Sequence, residues 1–234
     1  MSGLRIVSVF PELFGTYGDV GNVLVLQRRL AWRGLPVEIV NVSVGEAFPT
    51  SGDLYVFGGS EDEAQERALQ ALRTSRLVET VDAGAHVFGV CAGLQVLSRS
   101  FGVGDGAVHE GLGLLDATTT RLAQRVVGEV VAAFPADRGL PLLTGFANHG
   151  GCTVLGPAAQ PLGTTVLGRG NDGELGGPEG AVQGRVVSTY LHGPVLARNP
   201  AFADWLLERV LGAPLEALPV GPAEALHAER TSRR

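Results

Sequence analysis

Across the first half of the chain, short apolar runs alternate with longer segments whose apolar positions recur every three or four residues. Residues 5–9 (Arg-Ile-Val-Ser-Val) read as a short buried strand. Asp19 then stands where it can cap a helix over about 20–33, with Val20, Val23, Leu24, Leu30 and Ala31 as its apolar stripe. Gly34 ends that helix and Val37–Val42 resumes as a strand. Asp53–Phe57 is a third strand, stopped by Gly58-Gly59, and a polar helix over about 62–80 follows, turning Leu69, Leu72 and Leu77 inward. The strand His86–Val90 then turns at Cys91 into a helix over Ala92–Ser100. Such alternation predicts an α/β fold with a doubly wound, mostly parallel sheet.

The second half has a different rhythm. Val126–Ala133, Leu142–Phe146, Thr164–Leu167 and Val186–Leu191 read as strands between Gly-rich turns, which predicts a mixed extension of the sheet. Pro200 leads a last packing helix over Ala201–Leu211, and the final twenty or so residues are expected to fray in part. No repeat or linker divides the chain, so one domain over about 4–212 is expected, with 213–234 as a tail.

Composition narrows the chemistry. All 18 basic residues are arginine, so a Schiff-base lysine or the lysine of a phosphate-binding loop is excluded within this sequence. A net charge of −6 without a basic block argues against nucleic acid or anionic lipid as the main partner. No apolar run is long enough for a membrane span and no signal-peptide pattern opens the sequence, so a cytoplasmic location is expected. Two cysteines, Cys91 and Cys152, are too few for a disulfide framework or a thiolate zinc site.

Gly89-Val90-Cys91-Ala92-Gly93 has the G-x-Nuc-x-G form of a nucleophile elbow, with cysteine in the nucleophile's place. A sulfur at a helix N-terminus is favoured as thiolate, and the N–H of Ala92 points toward a developing oxyanion. Alone, a cysteine among glycines reads more readily as a packing residue; strand, elbow and helix in order favour the nucleophile. Cys152, in a loop-to-strand transition, reads as structural. Gly58-Gly59-Ser60, at the C-terminal end of a strand, suits a second oxyanion donor as well as it suits an ordinary tight turn. A thiolate also needs a histidine to move protons. His227 in the tail, His109 in a Gly-rich loop and His86 at the far end of the nucleophile's strand are poor placements. His149 and His192 both follow strands, and periodicity alone does not separate them.

Gly89–Gln95 together with Tyr190-Leu191-His192-Gly193 resembles the class I glutamine amidotransferases in their cobyric-acid-synthase-like branch. Pro11–Asp19, the Gly58-Gly59 loop, Gly145–Gly151 and Thr189–Pro194 extend the likeness, within that branch, to the glutaminase subunits of lipid II isoglutaminyl synthases. The resemblance implies a flavodoxin-like sheet, Cys91 as the nucleophile toward the side-chain amide of L-glutamine, and His192 as general base and acid. It implies Gly59 and Ala92 N–H groups as oxyanion donors, Gln95 as a substrate contact, and Arg125, with Arg121 as runner-up, as the cation for the glutamine carboxylate.

It further implies no cofactor in this chain and a Mur-ligase-like partner of the MurT type. That partner would carry ATP and Mg and amidate the D-glutamate α-carboxyl of the lipid II stem peptide to D-isoglutamine, at the inner face of the membrane. Two departures stand out. Pro194 occupies the place where many relatives carry the glutamate that orients the histidine; the resemblance implies that an acid of the partner can complete the site, and no acid of this chain is assigned. Ser60 stands where a third glycine is common. The rival readings are a cysteine peptidase or DJ-1-like enzyme on the same sheet, and a non-catalytic subunit that binds its partner.

Overall fold

The computed structural model describes residues 3–104 and 106–232. Its first half runs β1 (Leu4–Val9), α1 (Pro11–Phe14), α2 (Gly21–Ala31), β2 (Val37–Val42), β3 (Leu54–Phe57), α3 (Asp62–Arg73), α4 (Leu77–Asp82), β4 (His86–Val90) and α5 (Ala92–Leu97). The second half runs β5 (Ser100–Gly102), β6 (Val108–Glu110), β7 (Ala117–Ala133), β8 (Leu143–Leu155), β9 (Gly163–Leu167), β10 (Pro178–Glu179), β11 (Ala181–Gln183), β12 (Val186–Thr189) and β13 (Leu191–His192). Three helices, α6 (Val195–Arg198), α7 (Pro200–Leu211) and α8 (Pro222–Ser232), follow.

The central sheet has the order β11-β12-β4-β3-β1-β2, parallel except for the edge strand β11. Every residue of β3 and β4 is buried, as unbroken apolar strands covered on both faces must be. Because β12, β4, β3 and β1 are adjacent and parallel, the segments that leave their C-terminal ends gather at one edge. Those segments carry His192, Cys91, Gly59 and Asp19.

The mixed extension is a separate second sheet. β7 and β8 form its long antiparallel pair, with a register shift between Arg121 and Val126, and β5, β6, β9 and β10 complete it on either side. The apolar run read as one strand, Val186–Leu191, is divided between the sheets. β12 ends at Thr189, and Leu191 and His192 pair with Ala147 and Phe146 of β8. Glu179 makes the crossing possible, because its Oε1 accepts from Thr189 Oγ1 at 2.7 Å and from Tyr190 N–H at 2.9 Å.

Three other expectations change. The helix over 62–80 is two helices, broken where the Ser75 hydroxyl donates to Leu72 C=O at 2.6 Å and accepts from Leu77 N–H at 3.3 Å; serine competes in this way with helical hydrogen bonds. Asp19 does not cap α2, whose N-cap is Val20 without a side-chain bond, because its carboxylate is used elsewhere. The stretch expected to fray in part carries α8, where Glu224 contacts Arg29 at 3.3 Å and His227 Nε2 donates to Leu142 C=O at 2.7 Å. Among the described residues no helix is long and apolar enough to cross a membrane.

Asn199, 3% exposed, ties the last helices to the second sheet. Its Oδ1 accepts from Thr144 N–H at 2.8 Å, and its Nδ2 donates to Thr144 C=O and Val195 C=O, each at 2.7 Å. Replacing Asn199 by alanine would strand buried backbone groups and is expected to cost roughly 2–3 kcal/mol. Urea unfolding checks this, and an unchanged midpoint would show that water replaces the amide without loss.

Candidate active site

Cys91 sits on the turn between β4 and α5 with φ 52° and ψ −103°. A non-glycine residue adopts a positive φ only under constraint. The constraint here is visible: Cys91 N–H donates to Thr189 C=O at 2.8 Å, and α5 packs directly beneath the end of β3. A side chain at Gly93 would come within 2.7 Å of Phe57 Cβ, so only glycine permits that approach. Ala92 opens α5, and its N–H has no acceptor within the helix. The sulfur therefore lies at a helix N-terminus, as the sequence pattern predicts, and the residue is 6% exposed.

The structure separates the two candidate histidines. The Nδ1–H of His192 donates to Asp19 Oδ2 at 2.8 Å, both side chains being almost fully buried. Its Nε2 is buried with no nitrogen or oxygen partner among the described residues, and the neighbour that supports the ring's proton besides Asp19 is Cys91. Burial disfavours the imidazolium, but the hydrogen bond to Asp19 and the nearby Cys91 outweigh it and raise His192 from 6.5 to about 10. The candidate nucleophile, the candidate base and a buried carboxylate thus meet within one chain. That carboxylate is Asp19, on the loop after β1, and not a residue two places after the histidine. In this structure the Asp19 carboxylate stands where the resemblance leaves room for an acid from the partner.

His149 is placed differently. Its Nδ1–H donates to Gly151 C=O at 2.8 Å, and its ring stacks on Tyr190 at 3.9 Å. Burial, then the positive charges of His192 and Arg125, press it down from 6.5 to about 4 against the pull of the Gly151 carbonyl, so it is a neutral ring at pH 7. His86 lies at the start of β4, away from the elbow, and His109 stacks on Phe101. Cys152, on β8, directs its sulfur at Asp172 C=O, 3.7 Å away.

The other site residues divide as follows. Gly59 N–H donates to Asp19 Oδ2 at 2.8 Å and so is not free for an oxyanion in this conformation. A side chain at Gly59 would meet His192 Cε1 at 2.6 Å and Tyr17 Cδ2 at 2.9 Å, which puts this glycine against the base. Gln95 is turned inward: its Oε1 accepts from Gln65 Nε2 at 2.9 Å, and its Nε2 donates to the Tyr190 hydroxyl at 3.1 Å. Arg125, at the bulge of β7, donates from Nε to Asn148 Oδ1 at 2.6 Å and from Nη2 to the Tyr17 hydroxyl at 3.3 Å. The Tyr17 ring in turn lies 4.5 Å from the His192 ring. Arg121 instead contacts Asp62 Oδ2 at 3.3 Å. Of the two arginines, Arg125 is therefore the one joined to the catalytic histidine through a single side chain.

Tyr17 itself escaped the sequence reading. Its hydroxyl donates to Glu61 Oε1 at 2.5 Å, and burial together with that carboxylate raises it to about 12, so it remains a neutral lid on His192. Beside Arg125 a cleft of about 530 Å³ runs along β7 toward Leu175, but it contains neither Cys91 nor His192. Among the described residues no group of three or more His, Cys, Asp or Glu side chains is placed to hold a metal ion.

This arrangement is that of a cysteine-dependent amide hydrolase on a parallel sheet, and the relatives agree. The model of the CobB/CobQ-like glutamine amidotransferase domain matches residues 5–200. The chain belongs to that family. It is similar to the lipid II isoglutaminyl synthase (glutamine-hydrolyzing) subunit GatD of Staphylococcus aureus (strain N315), 32% identical over 222 residues that make up 92% of this chain and 89% of the relative. The subunit of the same name from Streptococcus pneumoniae (strain ATCC BAA-255 / R6) is 32% identical over 89% of this chain and 80% of its own length. Cobyric acid synthase of Jannaschia sp. (strain CCS1) is 34% identical over 74% of this chain, which spans only 35% of that enzyme. Among solved structures, a glutamine amidotransferase superposes with a TM-score of 0.60 at 21% identity, covering 87% of this chain and 98% of that one. Another from Thermotoga maritima gives 0.57 at 18% identity, over 98% and 90%. These likenesses support the fold.

The raised His192 has a thermodynamic consequence. The folded protein keeps this proton from pH 6.5 to about 10 while the unfolded chain loses it, so its contribution is complete below 6.5 and is lost as pH rises through about 10. Tm is expected to fall over that window in the wild type and to fall less in His192→Gln. Parallel Tm curves for the two proteins would refute the buried ion pair.

Proposed function

We infer that the chain is the glutaminase subunit of a lipid II amidating enzyme. The single observation that carries the chemistry is the alignment of Cys91, His192 and Asp19 at the C-terminal edge of the sheet. The acceptor is inferred from the two subunits that match along nearly the whole chain, whereas cobyric acid synthase matches over a third of its length. Cys91 sulfur attacks the carboxamide carbon of L-glutamine. The carbonyl pair moves onto oxygen, where the Ala92 N–H meets it at the start of α5. When the carbonyl re-forms, the C–N bond breaks, and His192 gives its proton to the departing nitrogen, which leaves as ammonia. Water, deprotonated by His192, then attacks the glutamyl thioester and releases glutamate. Arg125 is assigned to the glutamine α-carboxylate, which a guanidinium grips with two parallel hydrogen bonds.

The ammonia passes to a Mur-ligase-like partner of the MurT type. ATP and Mg belong to that subunit, which activates the α-carboxyl of D-glutamate in the stem peptide and brings the assembly to the inner face of the membrane. An all-arginine chain without a phosphate-binding lysine fits this division. Asp19 supplies the orienting acid from within, so the partner's contribution is acceptor and activation.

In the assembled complex, Cys91→Ala is expected to lower glutamine-dependent amidation by on the order of a thousandfold or more, while amidation from added ammonium salt stays near wild type. Equal loss of both activities would show that Cys91 serves assembly and not glutamine hydrolysis. Turnover of peptides without turnover of glutamine would favour a peptidase.

A further inference from the structure

A single carboxylate oxygen serves two parts of the catalytic apparatus. Asp19 Oδ2 accepts from His192 Nδ1 and from Gly59 N–H, each at 2.8 Å, while Asp19 Oδ1 is buried with no partner. The peptide joining Gly58 to Gly59 is held at its other end as well, since Gly58 C=O accepts from Gly93 N–H at 3.2 Å. Asp19 is 1% exposed, so water does not compete for these donors. A proton committed to a carboxylate is not available to an oxyanion, and the negative charge of that carboxylate opposes a second negative charge beside it. Of the two donors implied for the oxyanion, only Ala92 is free as the chain stands.

We propose that Asp19 is a positioning residue for both halves of the reaction: it orients His192 and, in the unliganded chain, holds Gly59 N–H out of the oxyanion hole. The hole is completed when the tetrahedral intermediate draws Gly59 N–H away from Asp19 while the bond from His192 to Asp19 persists. The asymmetry of the carboxylate permits this. Both donors share Oδ2, so Gly59 can leave without breaking the orientation of the base, and the emptied lone pair strengthens the remaining bond to the imidazolium. This inference rests on the glutaminase reading and concerns how that site is restrained. It makes the resting hole a one-donor hole, and loss of one such donor costs other hydrolases about a hundredfold to a thousandfold in kcat.

The test uses the full chain and a γ-aldehyde analogue of glutamine. Cys91 sulfur adds as thiolate to the aldehyde carbon and the carbonyl pair moves to oxygen, while His192 keeps its proton, giving a tetrahedral adduct. The Gly59 amide is followed by ¹⁵N–¹H spectroscopy and the adduct by crystallography. The expected result is a Gly59 amide signal that moves on adduct formation, with the Gly59 nitrogen beside the adduct oxygen and the contact from His192 to Asp19 unchanged. An adduct whose oxygen is held while Gly59 still donates to Asp19 would overturn the proposal and leave the glutaminase reading intact. Failure of Cys91 to form any adduct would overturn both.

Asp19→Asn gives a second readout, because a neutral side chain holds Gly59 less firmly but orients His192 less well. Alkylation by iodoacetamide, which needs no oxyanion donor, is expected to slow. Aldehyde affinity relative to that rate is expected to rise about tenfold, as expected when a charged acceptor is made neutral. A proportional fall in both would mean that Asp19 acts on the base alone.

Discussion

The backbone at Cys91 is the constraint around which the rest is arranged. A cysteine held at φ 52° is stable only where its surroundings leave no alternative, and each surrounding element contributes. Thr189 takes its N–H from one side and Gly58 takes the N–H of Gly93 from the other, so β12 and β3 grip the elbow between them. The same grip brings the loops after these strands within reach of the sulfur. Strain at the nucleophile and assembly of the site are thus one packing solution.

Within that solution the buried carboxylate of Asp19 does for charge what the elbow does for geometry. A carboxylate with its side chain fully buried must be met by donors, and the two it finds are His192 Nδ1–H and Gly59 N–H. Burial disfavours a charged His192, yet the carboxylate and the nearby cysteine reverse the balance. Tyr17 closes the top of the ring, and Arg125 holds Tyr17, so Arg125 and His192 are coupled through one aromatic side chain.

What the sequence made legible follows the range of each interaction. The elbow could be read because its requirements are local: small residues around a nucleophile, after an apolar strand and before a helix. The parallel core could be read from unbroken apolar runs such as Leu54–Phe57. Asp19 could not, because a residue just before a helix looks like a cap until the strand order places it beside β3 and β4. The local pattern points to the position two places after His192, where Pro194 stands, while the carboxylate that meets His192 is 173 positions away. A signal was present: an acidic residue on a loop leaving the C-terminal end of a parallel strand, where α/β sites form. The choice between His149 and His192 was closed to periodicity for a similar reason. It depends on the chain leaving β12 at Thr189 and joining β8, a crossing held by hydrogen bonds from the side chain of Glu179, at the end of β10. For Gln95 the position in the motif was legible but its inward partner Gln65 was not.

That crossing also decides how the site can respond to its surroundings. The nucleophile belongs by backbone to the central sheet, through β4, whereas the base belongs to the second sheet, through β13 paired with β8. Arg125 and Asn148 lie on the second sheet as well, on the paired strands β7 and β8. The geometry between Cys91 and His192 is therefore set by the packing of one sheet against the other and not by a single rigid element. A small displacement of β8 relative to β4 would move His192 and Arg125 together while leaving the elbow in place. Asp19, rooted in the central sheet through β1 but bonded to His192, is the tie across that division.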